Sequence, residues 1–128
     1  MSTGGERRLL GAWGEEKAAA YLRRRGYRLL DANYHSRFGE IDLVAQQGGY
    51  IIFVEVKLRN GKGPVRPMEA VTPAKQKRII QTALCWMAQH PGPAQYRFDV
   101  VEVIAPKGRD TRLCRICHIK NAFDASEP

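Results

Sequence analysis

Three acidic residues and one lysine interrupt a stretch that otherwise has the composition of buried β-strands. Glu40 and Asp42 stand in the run GEIDLVA, and Glu55 and Lys57 stand in the run FVEVKL. Carboxylates and a lysine gathered at one place can bind a hard divalent cation such as Mg²⁺ and stabilise charge that develops on a phosphate. The chemistry that these residue types indicate is hydrolysis of a phosphodiester bond.

The spacing of these residues predicts that the four side chains share one face of a β-hairpin. Gly48-Gly49 is a strong two-residue turn signal between two apolar runs. Because side chains alternate between the faces of a strand, this turn places Asp42 across from Glu55 and Glu40 across from Lys57. Like charges directly opposite one another are unfavourable, and a bound cation would neutralise them. The alternative is a solvated face on which Glu40 and Lys57 form an ion pair.

The second apolar run, 50–58, contains one acid and one lysine among residues that belong in a core. This composition indicates that both faces of the strand are covered. Charged residues on a covered strand are usually paired or bind a metal ion, which favours the metal-site interpretation.

Glu15 is a further candidate because it lies on the buried stripe of a predicted helix. It shares that stripe with Ala18 and Leu22, at the offsets that line one helical face. The alternative is a glutamate at the rim of the core that pairs with a nearby arginine.

The elements that must position these residues alternate between helix and strand. They are, in chain order, a helix over 6–25, a short strand over 27–30, a polar connection over 31–38, strands over 39–46 and 50–58, a basic loop over 60–67, a helix from Pro73 to about His90, and strands over 96–105 and 112–119. Gly26 and Thr72-Pro73 mark the end of the first helix and the start of the second. This order predicts an α/β fold in which helices flank a mixed central sheet.

Length and composition favour one small globular domain. Of the 128 residues, 44% are hydrophobic and 27% are charged, which are ordinary values for a folded protein. We expect a single domain over 1–128, with flexible tails at 1–5 and 124–128. No apolar run approaches the ~18 residues of a membrane span, and no signal peptide is recognisable, which predicts a soluble, cytoplasmic protein.

The charge balance favours a polyanionic partner. Lys and Arg number 21 against 13 Asp and Glu, for a formal net charge of +8, which favours nucleic acid or an anionic membrane surface. Several of these cations fall in the first turns of the second helix, where a bound phosphate would explain them and a solvated basic turn is the commoner explanation. The expected nucleic-acid contacts are Arg37, Arg59, Lys62, Lys75, Gln76, Lys77 and Arg78.

Asp42 followed by Glu55-Val56-Lys57 resembles the divided Asp, Glu-x-Lys signature of the PD-(D/E)XK, or restriction-endonuclease-like, nuclease superfamily. Over about 6–123 the chain more closely resembles the YraN family of bacterial proteins, through Gly14-Glu15, Gly26-Tyr27, the run GEIDL at 39–43, the run FVEVK at 53–57, Lys75-Gln76 and the run RFDV at 97–100. The resemblance implies a restriction-endonuclease-like fold. The YraN proteins are in turn similar to archaeal Holliday junction resolvases, in which an acid on the first helix joins the metal site.

The resemblance also implies roles for individual residues. Asp42 and Glu55 would be metal ligands, with the backbone carbonyl of Val56 as a third and Mg²⁺ or Mn²⁺ as the cofactor. Lys57 would be the catalytic lysine, and Glu15 an accessory ligand or base. Glu40 and Gln76 match the family less strongly.

These observations favour a metal-dependent nuclease that hydrolyses DNA, with branched DNA as the substrate that the resolvase resemblance suggests. A homodimer would be natural for a resolvase. Two alternatives stay open, a non-catalytic nucleic-acid-binding module and an adaptor in DNA processing. The run CRICH at 114–118 has the spacing of a haem attachment site, but Cys114 and Cys117 point to opposite faces of a strand, so free thiols are expected.

Overall fold

A computed structural model describes residues 4–59, 71–105 and 114–124, apart from the side chains of 4–10. Its elements are α1 (Gly4–Arg24), β1 (Arg28–Ser36), β2 (Gly39–Gln47), β3 (Tyr50–Arg59), α2 (Pro73–Gln89), β4 (Gln95–Ile104) and β5 (Arg115–Phe123). The predicted basic loop at 60–67, the segment 106–110 between the last two predicted strands and the outer parts of both predicted tails lie outside the described residues. Neither of the two described helices is long and apolar enough to cross a bilayer.

The five strands form one mixed sheet in the order β1-β2-β3-β4-β5. Neighbouring strands are antiparallel except for β3 and β4, which are parallel. A parallel pair needs a long crossover connection, and α2 lies within the one between β3 and β4. The predicted α/β fold, a mixed sheet flanked by helices in the restriction-endonuclease-like manner, is confirmed.

Two apolar cores cover the sheet, one under each helix. The core under α1 contains Leu22, Ile52 and Val54, and the core under α2 contains Phe53 and Trp86. Successive residues of β3 therefore enter opposite cores, as alternation along a strand requires. The prediction that both faces of this strand are covered is confirmed.

The ends of both helices follow the local sequence signals. Gly26 has a φ of +87°, a left-handed conformation that glycine adopts without strain, and the N–H of Tyr27 donates to the carbonyl of Leu22. At the other helix the Thr72 side chain accepts a hydrogen bond from the N–H of Lys75. These caps place α1 and α2 within a residue or two of their predicted bounds.

The prediction of a polar connection over 31–38 is wrong for most of that segment, because β1 continues to Ser36. As an edge strand with a register shift between Leu29 and Asp31, β1 does not show the regular alternation of a half-buried strand. The last strand also extends beyond its predicted end at 119 to Phe123, whose ring stacks on that of Phe98.

A buried ionic network joins β4 and β5 on the α1 side of the sheet, where the Tyr21 hydroxyl of α1 lies 3.2 Å from Nδ1 of His118. Both carboxylate oxygens of Asp99 accept hydrogen bonds of 2.9 Å from Arg97, and one also lies 2.7 Å from Nε2 of His118. The N–H of Asn121 donates to the same carboxylate. Burial raises the pKa of Asp99, but the hydrogen bonds from His118, Arg97 and the Asn121 N–H outweigh it and hold the pKa below its usual value.

The substitution Asp99→Asn should lower the free energy of unfolding by about 3 kcal/mol, because it leaves the arginine beside it without its carboxylate. Urea denaturation at neutral pH measures this loss. The exposed acid Glu16 is the control, since Glu16→Gln should change stability by less than about 0.5 kcal/mol.

Acid pH provides a second measurement on the same network. A carboxylate whose pKa is lowered by folding stabilises the protein above its unfolded pKa, near 4, and this stabilisation is lost as the pH falls through the folded value. Wild type should therefore lose more stability than Asp99→Asn on acidification below about pH 4. Parallel loss in both proteins would contradict the role assigned to Asp99.

Candidate active site

The glycine turn sets the register of the hairpin as predicted, but only over part of its length. Gln47 pairs with Tyr50 across the turn, and the ladder continues to Leu43 and Val54. The predicted pairs, Asp42 with Glu55 and Glu40 with Lys57, are not part of it. Beyond this point β2 is paired with β1 alone, and β3 with β4 alone. We call the place where β2 and β3 separate the fork.

The fork coincides with a change of face along β2. Ile41 and Val44 both enter the core under α2, whereas Leu43, between them, enters the core under α1. Strict alternation would have sent Ile41 the other way. On β1 the residue at the matching register position is Asn33, which has a φ of +52°. Both strands are therefore irregular at the level of Asp42, and the four predicted side chains do not line one regular strand face.

Three carboxylates converge at the fork. Glu15 comes from α1, and Glu40 and Asp42 come from β2; one oxygen of each lies within 4.8 Å of the others. We call these residues the acidic cluster. Asp42 also accepts a 2.8 Å hydrogen bond from the N–H of Val56, across the gap that the fork opens. Glu15 thus joins the other acids, as expected if it is an accessory ligand.

Glu55 faces the same space but has a different partner. Its Oε1 lies 2.6 Å from Nζ of Lys75, on the first turn of α2. A pocket of about 240 Å³ lies between the strands and this helix. Its lining residues are Gly39, Glu40, Asp42, Glu55, Lys75, Arg78 and Ile79. Acids from the strands and cations from the helix therefore face each other across one pocket.

The electrostatics of the acidic cluster are unfavourable for full ionisation. Burial, together with the negative charge of Glu55 and smaller contributions from Glu15 and Glu40, raises the pKa of Asp42 to about 8, although the hydrogen bond from Val56 opposes this shift. Burial is also the largest cause that raises the pKa of Glu15, while a hydrogen bond from the Asn33 side chain lowers it. Asp42 is therefore largely protonated at neutral pH unless a cation binds beside it.

Lys57 lies on β3 two residues beyond Glu55, half-buried, at the register position of Glu102 on β4. Among the described residues it is not one of those that line the pocket. Glu102 is buried and forms an ion pair with Arg59. The guanidinium that the sequence suggested for phosphate binding is thus engaged by a buried acid. The role of the Val56 carbonyl stays a prediction.

Of the predicted nucleic-acid contacts other than Lys75, Arg78 alone among the described residues lines the pocket. Lys77 is exposed on the same helix, and Arg37 is exposed with its guanidinium 4.9 Å from the Phe38 ring centroid. The side-chain amide of Gln76 donates to the carbonyl of Val71 and supports the start of α2. Lys62 lies outside the described residues.

Three further contacts are not among those predicted from the sequence. The sequence predicts a connection at Asn33, and no pattern in it indicates the hydrogen bond between this side chain and Glu15. His35, for which no partner is predicted, lies 3.3 Å from Glu40 along the β1–β2 hairpin, whereas the alternative interpretation of the sequence pairs Glu40 with Lys57. Glu102 lies in a predicted strand, and an acid within such an apolar run is the one signal in the sequence that indicates a buried ion pair there.

The cysteines behave as predicted. Cys85, Cys114 and Cys117 are free and half-buried. His118, which completes the haem-like spacing, is held by Asp99. No described contact draws the run at 114–118 into a metal site.

The donor set of the acidic cluster suits a small, hard cation. Its three ligands are carboxylates, the type that Mg²⁺ prefers, and oxygens on opposite sides of one Mg²⁺ ion lie about 4 Å apart. In the cluster one oxygen of each acid lies within 4.8 Å of the others. A bound divalent cation would also favour the ionised form of Asp42 against the burial and the neighbouring negative charges that raise its pKa.

Comparison with known proteins places these residues in a family. The model described as "Uncharacterised protein family UPF0102" matches residues 14–103. The chain belongs to the UPF0102 family. This is the YraN group that the sequence motifs resemble.

Individual UPF0102 proteins match along nearly their whole length. One from Symbiobacterium thermophilum is 48% identical over 120 residues, covering 92% of this chain and 98% of its own. Others from Syntrophomonas wolfei and Nocardia farcinica are 43% and 47% identical, covering 91% and 93% of this chain and 98% and 92% of their own. The UPF0102 match at 14–103 includes every residue of the acidic cluster, as well as Glu55, Lys57 and Lys75.

The raised pKa of Asp42 predicts that the substitution Asp42→Asn stabilises the protein as the pH rises. A carboxylate whose pKa is raised by folding destabilises the folded state increasingly between its unfolded pKa, near 4, and its folded pKa, here about 8. At pH 8.5 the melting temperature of Asp42→Asn should exceed that of wild type by about 3 °C or more. The difference should vanish at pH 4.

Mg²⁺ provides the matching control. At pH 8.5 it should raise the melting temperature of wild type and leave that of Asp42→Asn nearly unchanged. A chelator should reverse the effect. Equal stabilisation of both proteins by Mg²⁺ would contradict a metal site at the fork.

Proposed function

We propose that this protein is a Mg²⁺- or Mn²⁺-dependent nuclease that hydrolyses DNA. The observation that carries the proposal is the convergence of Glu15, Glu40 and Asp42 at the fork, beside Glu55 of the Glu-x-Lys motif. Carboxylates that repel one another in a partly buried place destabilise a fold, so a cation-binding role gives their arrangement a reason.

Each residue of the site is assigned a role that follows from the chemistry of its side chain. Glu15, Glu40 and Asp42 of the acidic cluster, with Glu55 beside them, would hold the ion. When bound, it lowers the pKa of a coordinated water and neutralises charge on the scissile phosphate. Lys57 lies two residues beyond Glu55 on β3 and is assigned the role of orienting the attacking water and stabilising the negative charge that develops on the phosphate oxygens. The ion pair of Arg59 with Glu102 neutralises the acid at the register position of Lys57.

DNA is the substrate that charge and pocket favour. The chain has a formal net charge of +8, and Lys75 and Arg78 bring positive charge to the pocket wall opposite the acids. A phosphate bound between this wall and a metal ion would contact both. Branched DNA is included among the proposed substrates because the position of Glu15 resembles that of the first-helix acid in Holliday junction resolvases.

Cleavage of labelled linear, flapped and four-way DNA in Mg²⁺ or Mn²⁺ tests the proposal. Wild type should cut at least one of these substrates. Asp42→Asn and Lys57→Ala should each lower the rate by about a hundredfold or more, because one removes a ligand and the other the positive charge beside the phosphate. If wild type cuts none of the substrates, or if both variants cut as well as wild type, the protein is not a nuclease of this type.

Glu15 is tested separately against its exposed neighbour on the same helix. Glu15→Gln should lower metal-dependent cleavage by about tenfold or more, since it removes a charged oxygen from the acidic cluster. Glu16→Gln, which makes the same chemical change outside the cluster, should leave cleavage unchanged. Equal rates for both variants would return Glu15 to a structural role at the edge of the core.

A second function is favoured by one specific observation. The ion pair between Lys75 and Glu55 neutralises one of the acids without any metal, as a purely structural role would require. A non-catalytic nucleic-acid-binding protein would bind the same DNA substrates in a salt-dependent manner and cut none of them. The cleavage experiment distinguishes the two functions.

A further inference from the structure

Lys75 supplies the positive charge that Glu55 contacts in the described structure. The two charged groups lie 2.6 Å apart, with the glutamate side chain 9% exposed and the lysine side chain 41% exposed. Glu55 belongs to β3, which is paired with β4 at this point. Lys75 reaches the carboxylate from the first turn of α2, through a flexible side chain. The lysine is therefore the partner that can move.

The N-terminus of α2 is an electrostatically unfavourable position for the positive charge of Lys75. The first turn of α2 contains no acidic residue, and the N-terminus of a helix disfavours cations. The main-chain N–H of Lys75 donates to the Thr72 cap, which fixes the backbone and leaves the side chain free to choose its partner. Contact with Glu55 is what offsets the unfavourable position.

The pocket contains further acids beside Glu55 and a further cation beside Lys75. Asp42 and Glu40 lie in the same pocket as Glu55, and Arg78 lies in the same pocket as Lys75. A divalent cation that joins Asp42 would attract Glu55, and a phosphate in the pocket would attract Lys75. Both exchanges can take place inside a volume of about 240 Å³.

We propose that Lys75 is an exchangeable counter-ion for Glu55, released to bind a DNA phosphate when a divalent cation takes the carboxylate. The inference rests on the proposed function, since it assumes that the cation and DNA bind in this pocket. The exchange would couple the binding of metal to the binding of DNA. The metal would raise the affinity for DNA by releasing Lys75 from Glu55, and DNA would raise the affinity for the metal by keeping Lys75 away from Glu55.

A lysine suits this exchange better than an arginine would. An ammonium forms single, reorientable hydrogen bonds, whereas a guanidinium binds a carboxylate through two parallel bonds and gives it up less readily. Lys75→Arg should therefore bind metal more weakly than wild type, and Lys75→Met should bind it more tightly. The two variants move in opposite directions only if the side chain competes with the metal for Glu55.

Calorimetric titration of the full chain with Mn²⁺ alone measures the competition. Lys75→Met should lower the dissociation constant for Mn²⁺ by about fivefold or more, and Lys75→Arg should raise it. Lys77→Met is the matched control, because it removes the same charge from an exposed position on the same turn and should change the constant by less than about twofold. Melting temperatures establish that each variant is folded, and Lys75→Arg retains the ion pair if Lys75→Met does not fold.

DNA binding measures the coupling. For wild type, Ca²⁺, which takes the same oxygen ligands, should tighten the binding of a labelled four-way junction relative to a chelator. That ratio should fall by about fivefold in Lys75→Met and persist in Lys77→Met, because loss of the expected DNA contact of Lys77 would weaken binding equally with Ca²⁺ and with the chelator. Equal Mn²⁺ affinities for Lys75→Met and Lys77→Met, or weaker binding by Lys75→Met, would overturn the exchange.

Asp42→Asn separates this outcome from a failure of the proposed function. If wild type binds Mn²⁺, Asp42→Asn does not, and the two lysine variants behave alike, the metal site stands and the exchange is overturned. If wild type and Asp42→Asn bind Mn²⁺ equally or not at all, both the site and the exchange are overturned.

Discussion

Repulsion among carboxylates at the fork is the constraint on which the arrangement of the site depends. Glu15, Glu40, Asp42 and Glu55 come from three different elements and are brought together by folding. The two apolar cores that seat the helices on the sheet supply the stabilisation, and part of it is opposed by the gathered negative charge. The ammonium of Lys75 offsets the charge of Glu55, and the His35 ring lies 3.3 Å from Glu40. Asp42 has a main-chain hydrogen bond instead and keeps its raised pKa.

The separation of β2 from β3 is what makes room for the site. In a continuous ladder the N–H groups of β3 that face β2 would donate hydrogen bonds to the carbonyl groups of β2. At the fork the Val56 N–H instead donates a hydrogen bond to the Asp42 carboxylate. The left-handed backbone at Asn33 marks the same level on β1 and brings an amide side chain to Glu15. The same irregularity therefore opens the sheet and places two of the acids.

Local signals made most of the fold predictable from the sequence. The Gly48-Gly49 turn, the Gly26 cap and the Thr72-Pro73 start each act within a few residues, and the structure has all three where the sequence put them. The length of β1 was not predictable, because an edge strand does not need regular alternation. The fork and the contact of Lys75 with Glu55 join residues far apart in the sequence, and a single strand pattern contains no information about them. The residue types that suggest a metal site could be identified in advance, but their partners could not.

The hydrogen bond between Val56 and Asp42 has a consequence for how freely this position can vary. Since the donor is a main-chain N–H, every amino acid except proline can supply it. The side chain of Val56 packs instead into the core under α1. Two limits therefore apply to substitution at position 56: the side chain must fit the volume available in the core, and the residue cannot be proline. The middle residue of the Glu-x-Lys motif can be exchanged among apolar types of similar size while the carboxylate of Asp42 stays in place.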